Sequence, residues 1–404
     1  MKDLKTAGQA TDLPEFPMQR ACPYEPPEGY AALREQSPLT VVTLFDGRPA
    51  WVVTSHALAR ELFTDERLSS DWTNPRFPVT SPARGALQKH NVMVGMDRPE
   101  HGHYRKMVIP SFTVKRMNRL RPRLQAIVDE RLDAMLAAGP PADFVESVAV
   151  PVPSIAICEL LGVPYADHEY FESETRKLVI RTSGEIAASA LANLRAYLDK
   201  LIAVKEAEPG EGLVDDLIAD QLHQGRIDRE TLVKLCTIML TAGHETTANV
   251  ISLGLLALLR HPEQFDALRD DPDLVPGAVE EMLRYLSIAE VVSRVATADF
   301  EVHGRRIRAG DAVFFTNSAV NRDPDAFPDP DVFDVRRAPR LHTGFGYGVH
   351  QCVGQNLARA ELDIVFRAVA TRLPRGLRLA VPFEEVKAKG PAGPQGIIDL
   401  PLTW

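Results

Sequence analysis

One cysteine in a glycine-rich loop is the sharpest chemical feature of this 404-residue sequence. The segment reads Phe345-Gly346-Tyr347-Gly348-Val349-His350-Gln351-Cys352-Val353-Gly354-Gln355-Asn356-Leu357-Ala358-Arg359. Glycines ahead of the thiol let the backbone turn tightly and lie against a flat object. A helical pattern expected over 352–373 begins at the cysteine. Unpaired N–H groups and the dipole at a helix start favour an anion. A thiol there, with an ordinary pKa of about 8.5, is expected to shift toward thiolate, and a bound metal would complete the deprotonation. Cys22, Cys158 and Cys236 lie far apart without a C-x-x-C pair, which argues against a disulfide framework or a zinc ribbon.

A second chemical stretch, Ala-Gly-His-Glu-Thr-Thr-Ala-Asn over 242–249, interrupts an apolar helix expected over 228–260. His244-Glu245 begins like the H-E-x-x-H of a zinc protease, but Ala248 stands where the second histidine would be and has no ligand atom. What remains is an acid beside an alcohol, Glu245 and Thr246. Thr246 follows Ala242 by four residues, the spacing at which a hydroxyl bonds back to a carbonyl and bends a helix. Ala242 and Gly243 leave room beside it.

The cysteine segment resembles, position by position, the haem-binding signature of the cytochrome P450 superfamily, and the resemblance extends over nearly the whole chain. It implies that Cys352 is the axial thiolate of haem b, the ligation that favours O–O cleavage. It places Phe345, Gly346 and Gly354 against the haem and His350 on a propionate. His101 and Arg105, in an H-x-x-x-R pattern, and Arg294 are the implied further propionate partners. Ala242, Gly243 and Thr246 would face the haem from the distal helix, with Thr246 and Glu245 catalytic as a proton relay for oxygen chemistry. Glu281 and Arg284 match the family's E-x-x-R structural pair. Many members carry a third-partner arginine where Val332 stands, so Arg336 or Arg337 is expected to substitute. His103 is expected to face solvent.

The implied fold is mainly α with a small β region: one triangular-prism-like domain over 1–404, haem lying between the long distal helix and the cysteine-bearing loop. Residues 1–30, Pro-rich, read as an extended arm. Asp46-Gly47 between two β-rich runs signals a hairpin. Helical patterns dominate from 99 to 286, strands are expected at 291–303 and 311–316, and 321–351 reads as a long irregular stretch.

Composition limits the function. A net charge of −9 argues against general nucleic-acid binding, and no segment approaches the roughly 20 apolar residues of a membrane span. A cytoplasmic monomer is the expectation. The resemblance is to soluble actinobacterial members, Streptomyces-type, that oxidise polyketides, sterol-like compounds and xenobiotics. It implies a monooxygenase that inserts one oxygen atom from O2 into a hydrophobic small molecule. Electrons would come from NAD(P)H through a separate ferredoxin and ferredoxin reductase. Lys115, Arg116, Arg119, Arg121 and Arg123, without an intervening acid, are the expected docking residues. Positions matching the substrate-facing regions are Val94, Ile180, Arg181, Met239, Ala242, Val291, Val292 and Ile397. Arg76, Arg84 and Arg181 are candidates to hold a substrate carboxylate or hydroxyl. The rival functions are a peroxide-driven haem-thiolate peroxygenase and a non-catalytic haem or ligand carrier.

Overall fold

The computed structural model describes residues 13–80, 92–179, 184–390 and 393–404. Its N-terminal part holds β1 (Glu15–Phe16), α1 (Gly29–Gln36), the hairpin β2 (Leu39–Leu44) and β3 (Pro49–Val53), α2 (His56–Leu62) and β4 (Leu68–Ser69). Helices then dominate: α3 (Glu100–Val108), α4 (Val114–Ala138), α5 (Pro151–Leu161), α6 (His168–Val179), α7 (Gly184–Ala207), α8 (Leu213–Leu217), α9 (Arg229–Arg260), α10 (Pro262–Asp270) and α11 (Val275–Leu286), with β5 (Ala142–Asp143) between α4 and α5. Strands β6 (Val291–Ala296), β7 (Phe300–Val302), β8 (Arg305–Ile307) and β9 (Ala312–Thr316) follow, then α12 (Asn317–Val320). After a long irregular stretch come α13 (Gln355–Arg372), β10 (Arg378–Leu379) and β11 (Pro401–Thr403). No helix among the described residues is long and apolar enough to cross a membrane.

Two elements carry the site. The first, α9, spans 32 residues, about 48 Å at 1.5 Å per residue. Asp228 caps its start by accepting from the Thr231 N–H at 2.8 Å, and the helix stops at His261, before Pro262 opens α10. Every residue from Thr247 to Leu258 is buried, so this half is core on all sides. A Cβ at Gly254 would lie 2.5 Å from the Phe366 ring of α13, so the glycine lets the two helices close together. The second element is the loop leading into α13.

The larger sheet runs β1-β2-β3-β9-β6-β4. The β2–β3 hairpin turns at Gly47, φ +79°, as its sequence leads one to expect. The N-terminal arm is less free than its prolines suggest. Phe16 is buried against the Phe314 ring at 5.0 Å, β1 pairs in parallel with β2, and α1 begins at Gly29, inside the expected arm. A single aromatic anchor outweighs the extended composition of its neighbours.

The Glu281–Arg284 pair lies on α11 with both side chains fully buried. Arg284 donates to both Glu281 carboxylate oxygens at 2.7 and 2.8 Å and to the carbonyls of Asn321 and Pro330, each at 2.8 Å. Arg337, not Arg336, supplies the third partner, its Nε 3.2 Å from Glu281 Oε1. The pair thereby ties α11 to the irregular stretch that precedes the cysteine loop.

Candidate functional site

A cavity of about 400 Å³ separates α9 from the cysteine loop. The loop is shaped by its own hydrogen bonds: Gly346 N–H to Thr343 O at 2.7 Å, Gln351 N–H to Gly348 O at 3.1 Å and Cys352 N–H to Phe345 O at 2.8 Å. Gly346 and Gly348 hold φ of +68° and +75°, a region that favours glycine. At Gly348 a Cβ would also sit 2.9 Å from the Phe63 carbonyl. Phe345 lines the cavity, with the Arg359 guanidinium 4.6 Å from its ring centroid. Arg359 in turn grips Glu280 through two bonds of 2.6 and 3.0 Å, and Glu280 also takes His342 at 2.9 Å. Burial alone would raise the Glu280 pKa, but these partners override it and hold the carboxyl down at about 2.

Cys352 is exposed as a residue, and the surface it exposes includes cavity wall. The thiol departs from its expected electrostatics. Burial pushes its pKa up, against the backbone N–H groups of Gly354 and Gln355 and the charges of Arg105 and Arg359. Helix α13 begins at Gln355, three residues beyond the cysteine rather than at it. The terminus alone therefore does not make the thiolate; a bound metal cation would complete it.

Four basic groups gather on the same wall: His101 and Arg105 from α3, Arg294 from β6 and His350 from the loop. The rings of His101 and His350 lie 4.0 Å apart. Arg105 donates to the Gln351 carbonyl at 2.6 Å and Arg294 to the Ser293 carbonyl at 2.8 Å. Burial lowers Arg294 to about 10. Burial, then Arg294, His101 and Arg105, lowers His350 to about 3. Burial and then Arg105 lower His101. The acid that opposes them, Asp97, is itself engaged by Ser69 and by the Ser70 N–H at 2.7 Å. Such a cluster is short of negative charge, and the two carboxylates of a haem would supply it. His103, by contrast, is exposed.

Across the cavity stand Ala242, Gly243 and Thr246 of α9. Thr246 Oγ1 donates to the Ala242 carbonyl at 3.0 Å, the back-bond its spacing suggests. A Cβ on Gly243 would meet Ile157 of α5 at 3.1 Å, so the missing side chain serves helix packing as well as the cavity. Glu245 faces elsewhere. It is not on the cavity wall, and its Oε1 lies 3.4 Å from the Lys389 ammonium. The acid and the alcohol are neighbours in sequence but look onto different surroundings.

Of the substrate-facing positions, Val94, Met239, Ala242 and Val292 line the cavity. Val291 lines a separate cleft, because alternate residues of β6 face opposite ways, and Ile397 is 1% exposed in the core. Ile180, Arg181 and Arg84 lie outside the described residues. Arg76 packs on the Ala309–Gly310 turn, donating to the Ala309 carbonyl at 3.1 Å, and is not on the cavity wall. The sequence reading passed over the apolar wall residues Phe112, Ile157, Val250 and Ile288, whose spacing is that of ordinary core. It also missed Glu361, whose place two residues after Arg359 on an apolar helix face was the available signal. Glu361 lines the cavity, is 1% exposed, and neither carboxyl oxygen has a hydrogen-bond partner among the described residues. Burial pushes its pKa well above the carboxylate range.

A thiol faces an alcohol across an apolar cavity, with basic groups gathered on one wall, and this donor set fits a haem held by a thiolate. The comparisons agree. The family model described as Cytochrome P450 matches residues 169–372. A vitamin D3 dihydroxylase of Streptomyces griseolus is 52% identical over 407 residues, covering 100% of both chains. A pentalenic acid synthase of Streptomyces avermitilis is 54% identical over 390 residues, covering 96% of this chain and 97% of that protein. The crystal structure of the cytochrome P450 MoxA from Nonomuraea recticatena superposes with a TM-score of 0.91 at 49% identity, over 96% of this chain and 98% of that one. The chain belongs to the cytochrome P450 family. It is a monooxygenase that uses haem iron and O2, and the peroxygenase and carrier alternatives give way to that activity.

Proposed function

We propose that this enzyme hydroxylates or epoxidises a hydrophobic secondary metabolite, such as a macrolide or polyketide, or a xenobiotic. Ferredoxin and ferredoxin reductase would relay its electrons from NAD(P)H. The carrying observation is the Cys352 thiol on one cavity wall with Ala242, Gly243 and Thr246 on the other. In this reading Cys352 ligates the haem iron. His101, Arg105, Arg294 and His350 hold the propionates, and Phe345, Gly346 and Gly354 bear on the macrocycle. The bound haem supplies O2 activation and oxygen-atom transfer. The protein's own part is to exclude water, to orient substrate and to move protons. Val94, Met239, Ala242 and Val292 offer an apolar surface that suits a medium or large hydrophobic molecule. Thr246 keeps its hydroxyl on the cavity by bonding to Ala242, and Glu245 passes protons to that side of the helix. The chain acts as one domain over 1–404, as a cytoplasmic monomer.

The docking face is narrower than its sequence suggests. Arg116, Arg121 and Arg123 of α4 are engaged by Asp216 at 3.6 Å, Asp363 at 2.8 Å and Glu159 at 2.9 Å. Lys115 and Arg119 are exposed and carry no ion pair among the described residues. The start of α4 adjoins the cysteine loop, since Asn356 donates to the Phe112 carbonyl at 2.9 Å. Exposed Ile109, Val114 and Val349 give the same region an apolar centre. We therefore place an acidic ferredoxin on Lys115 and Arg119. Reversing both charges is expected to raise the ferredoxin concentration for half-maximal rate several-fold at low salt; an unchanged value removes them from the interface.

The deciding experiment is the absorption spectrum of the dithionite-reduced protein under carbon monoxide. A strongly red-shifted Soret band that disappears in Cys352→His is the expected result. An unshifted band in the wild-type protein would overturn the ligand assignment. Vitamin D3 is the first probe for a substrate-induced spin shift.

A further inference from the structure

We propose that Lys389 is a positioning residue for Glu245 and that the two arms 387–390 and 393–398 set where this acid sits. The inference rests on the reading of Glu245 as a proton carrier. Ala388 pairs with Ile397, the Lys389 N–H donates to the Gly396 carbonyl at 2.8 Å, and the Ile398 N–H donates to Lys387 at 2.9 Å. These bonds close the two arms around the lysine. Its ammonium then lies 3.4 Å from Glu245 Oε1 and 2.9 Å from Asn249 Oδ1. Glu245 and Asn249 are one turn apart on α9, so a single cation spans both. The approach is tight. A Cβ on Gly396 would fall 2.2 Å from Asn249 Oδ1, so a larger residue would lift the segment off the helix. The ion pair is 22% and 16% exposed on its two sides, and solvent screens it less than a surface pair.

The same segment reaches the cavity wall. The Gln395 N–H donates to the Ile288 carbonyl at 2.9 Å, and Ile288 and Ala289 line the cavity. One small piece of structure thus holds the acid on one side and the substrate wall on the other. In the relay reading Glu245 carries protons and is not their source. It takes a proton from cleft water, which bulk solvent re-protonates, and passes it to the Thr246 hydroxyl, which gives up its own proton into the cavity, so acid and alcohol both end as they began. The water side is a cleft of about 140 Å³ lined by Lys389, Gln395, Arg20 and Glu290. Among the described residues, the charged or titratable groups to consider are Lys389, the Arg20–Glu290 pair at 2.7 Å in the same cleft, and His244 beside Glu245 on its own helix.

The test uses the holoprotein and needs no substrate. Wild type, Lys389→Met, Lys389→Arg and Glu245→Gln are reduced with dithionite and mixed with O2, and reoxidation is timed in H2O and D2O. The carboxyl band of Glu245, assigned by its loss in Glu245→Gln, is titrated by infrared difference spectroscopy. The expectation is that Lys389→Met slows reoxidation about threefold or more, with a changed isotope effect. The infrared midpoint should move to higher pH by about one pH unit or more, because a carboxylate has lost its cation. Lys389→Arg should restore both, and all four proteins should keep the same carbon monoxide spectrum. If Lys389→Met matches wild type in both readouts while Glu245→Gln slows reoxidation, the positioning role is wrong and the relay stands. If Glu245→Gln itself reoxidises like wild type, the relay reading fails and the positioning role falls with it.

Discussion

The two walls of the cavity are built on opposite principles. On α9 the polar groups are satisfied within the protein: Thr246 bonds to Ala242, Thr247 to Gly243 at 3.4 Å, and Glu245 to Lys389. On the opposite wall hydrogen bonds are made, as by Arg105 and Arg294, but charge is not balanced. Four basic groups gather beside Asp97, the thiol sits where burial disfavours its charge, and among the described residues Glu361 has no hydrogen-bond partner. One wall is complete by itself, while the other is arranged for a group that brings charge and a metal. In the function proposed above, their difference separates what would position the chemistry from what would bind the cofactor.

The largest effect on this contrast comes from the support behind the second wall. Arg284 joins Glu281 to the carbonyls of Asn321 and Pro330 with both charged side chains fully buried. Arg284→Ala leaves the buried Glu281 with Arg337 and the Asp334 N–H as its partners among the described residues. A loss of about 3–5 kcal/mol is expected in urea unfolding. A loss below about 1 kcal/mol would mean that the loop is held by its own hydrogen bonds.

Next in size are two substitutions of opposite sign. Glu280 has a folded pKa of about 2 against an ordinary 4.5. Its stabilisation is therefore fully present above pH 4.5 and is lost as pH falls toward 2, and the difference corresponds to about 3 kcal/mol. Glu280→Gln should lose most of that at pH 7, less than half of it at pH 3 and little at pH 2. Arg294 is the reverse case, a buried cation whose charge is disfavoured. Arg294→Leu is expected to stabilise the apoprotein by up to about 3 kcal/mol and to speed haem loss to apomyoglobin. An apoprotein that weakens instead would show that this wall is as complete as the other.

Sequence reached the two walls unequally. Thr246 and Cys352 were legible because helix spacing and loop glycines constrain local geometry. The basic groups were legible only through the family resemblance, since they converge from α3, β6 and the loop over nearly 250 residues of chain. The partner of Glu245 was not legible at all: Lys389 is 144 residues away in an irregular segment, and nothing local marks it. Ile397 and Val291 were misplaced for a related reason, since apolar residues near a cavity satisfy core and lining equally well. The docking arginines show the same limit. Their run is visible in sequence, but the acids that engage three of them come from other helices.

The smallest expected effect is the most direct probe of the unfinished wall. Glu361 lies on α13 with both carboxyl oxygens buried and unpartnered, and burial alone raises its pKa. A buried polar group without a partner costs about 1–3 kcal/mol, whereas an apolar replacement of similar shape removes that cost. Glu361→Met should therefore raise the melting temperature by a few degrees. The sign with pH follows from the raised value. The unfolded chain ionises above about pH 4.5 while the folded acid stays neutral, so the native protein loses stability as pH rises and the variant's advantage grows with it. Melting curves of apoprotein and holoprotein at pH 4 and pH 7 measure this. A gain in both places Glu361 among groups tolerated for packing. A gain in the apoprotein that turns into a loss in the holoprotein would mean that the acid finds its hydrogen bond only once the cavity is filled, which would make it part of the wall built for the cofactor.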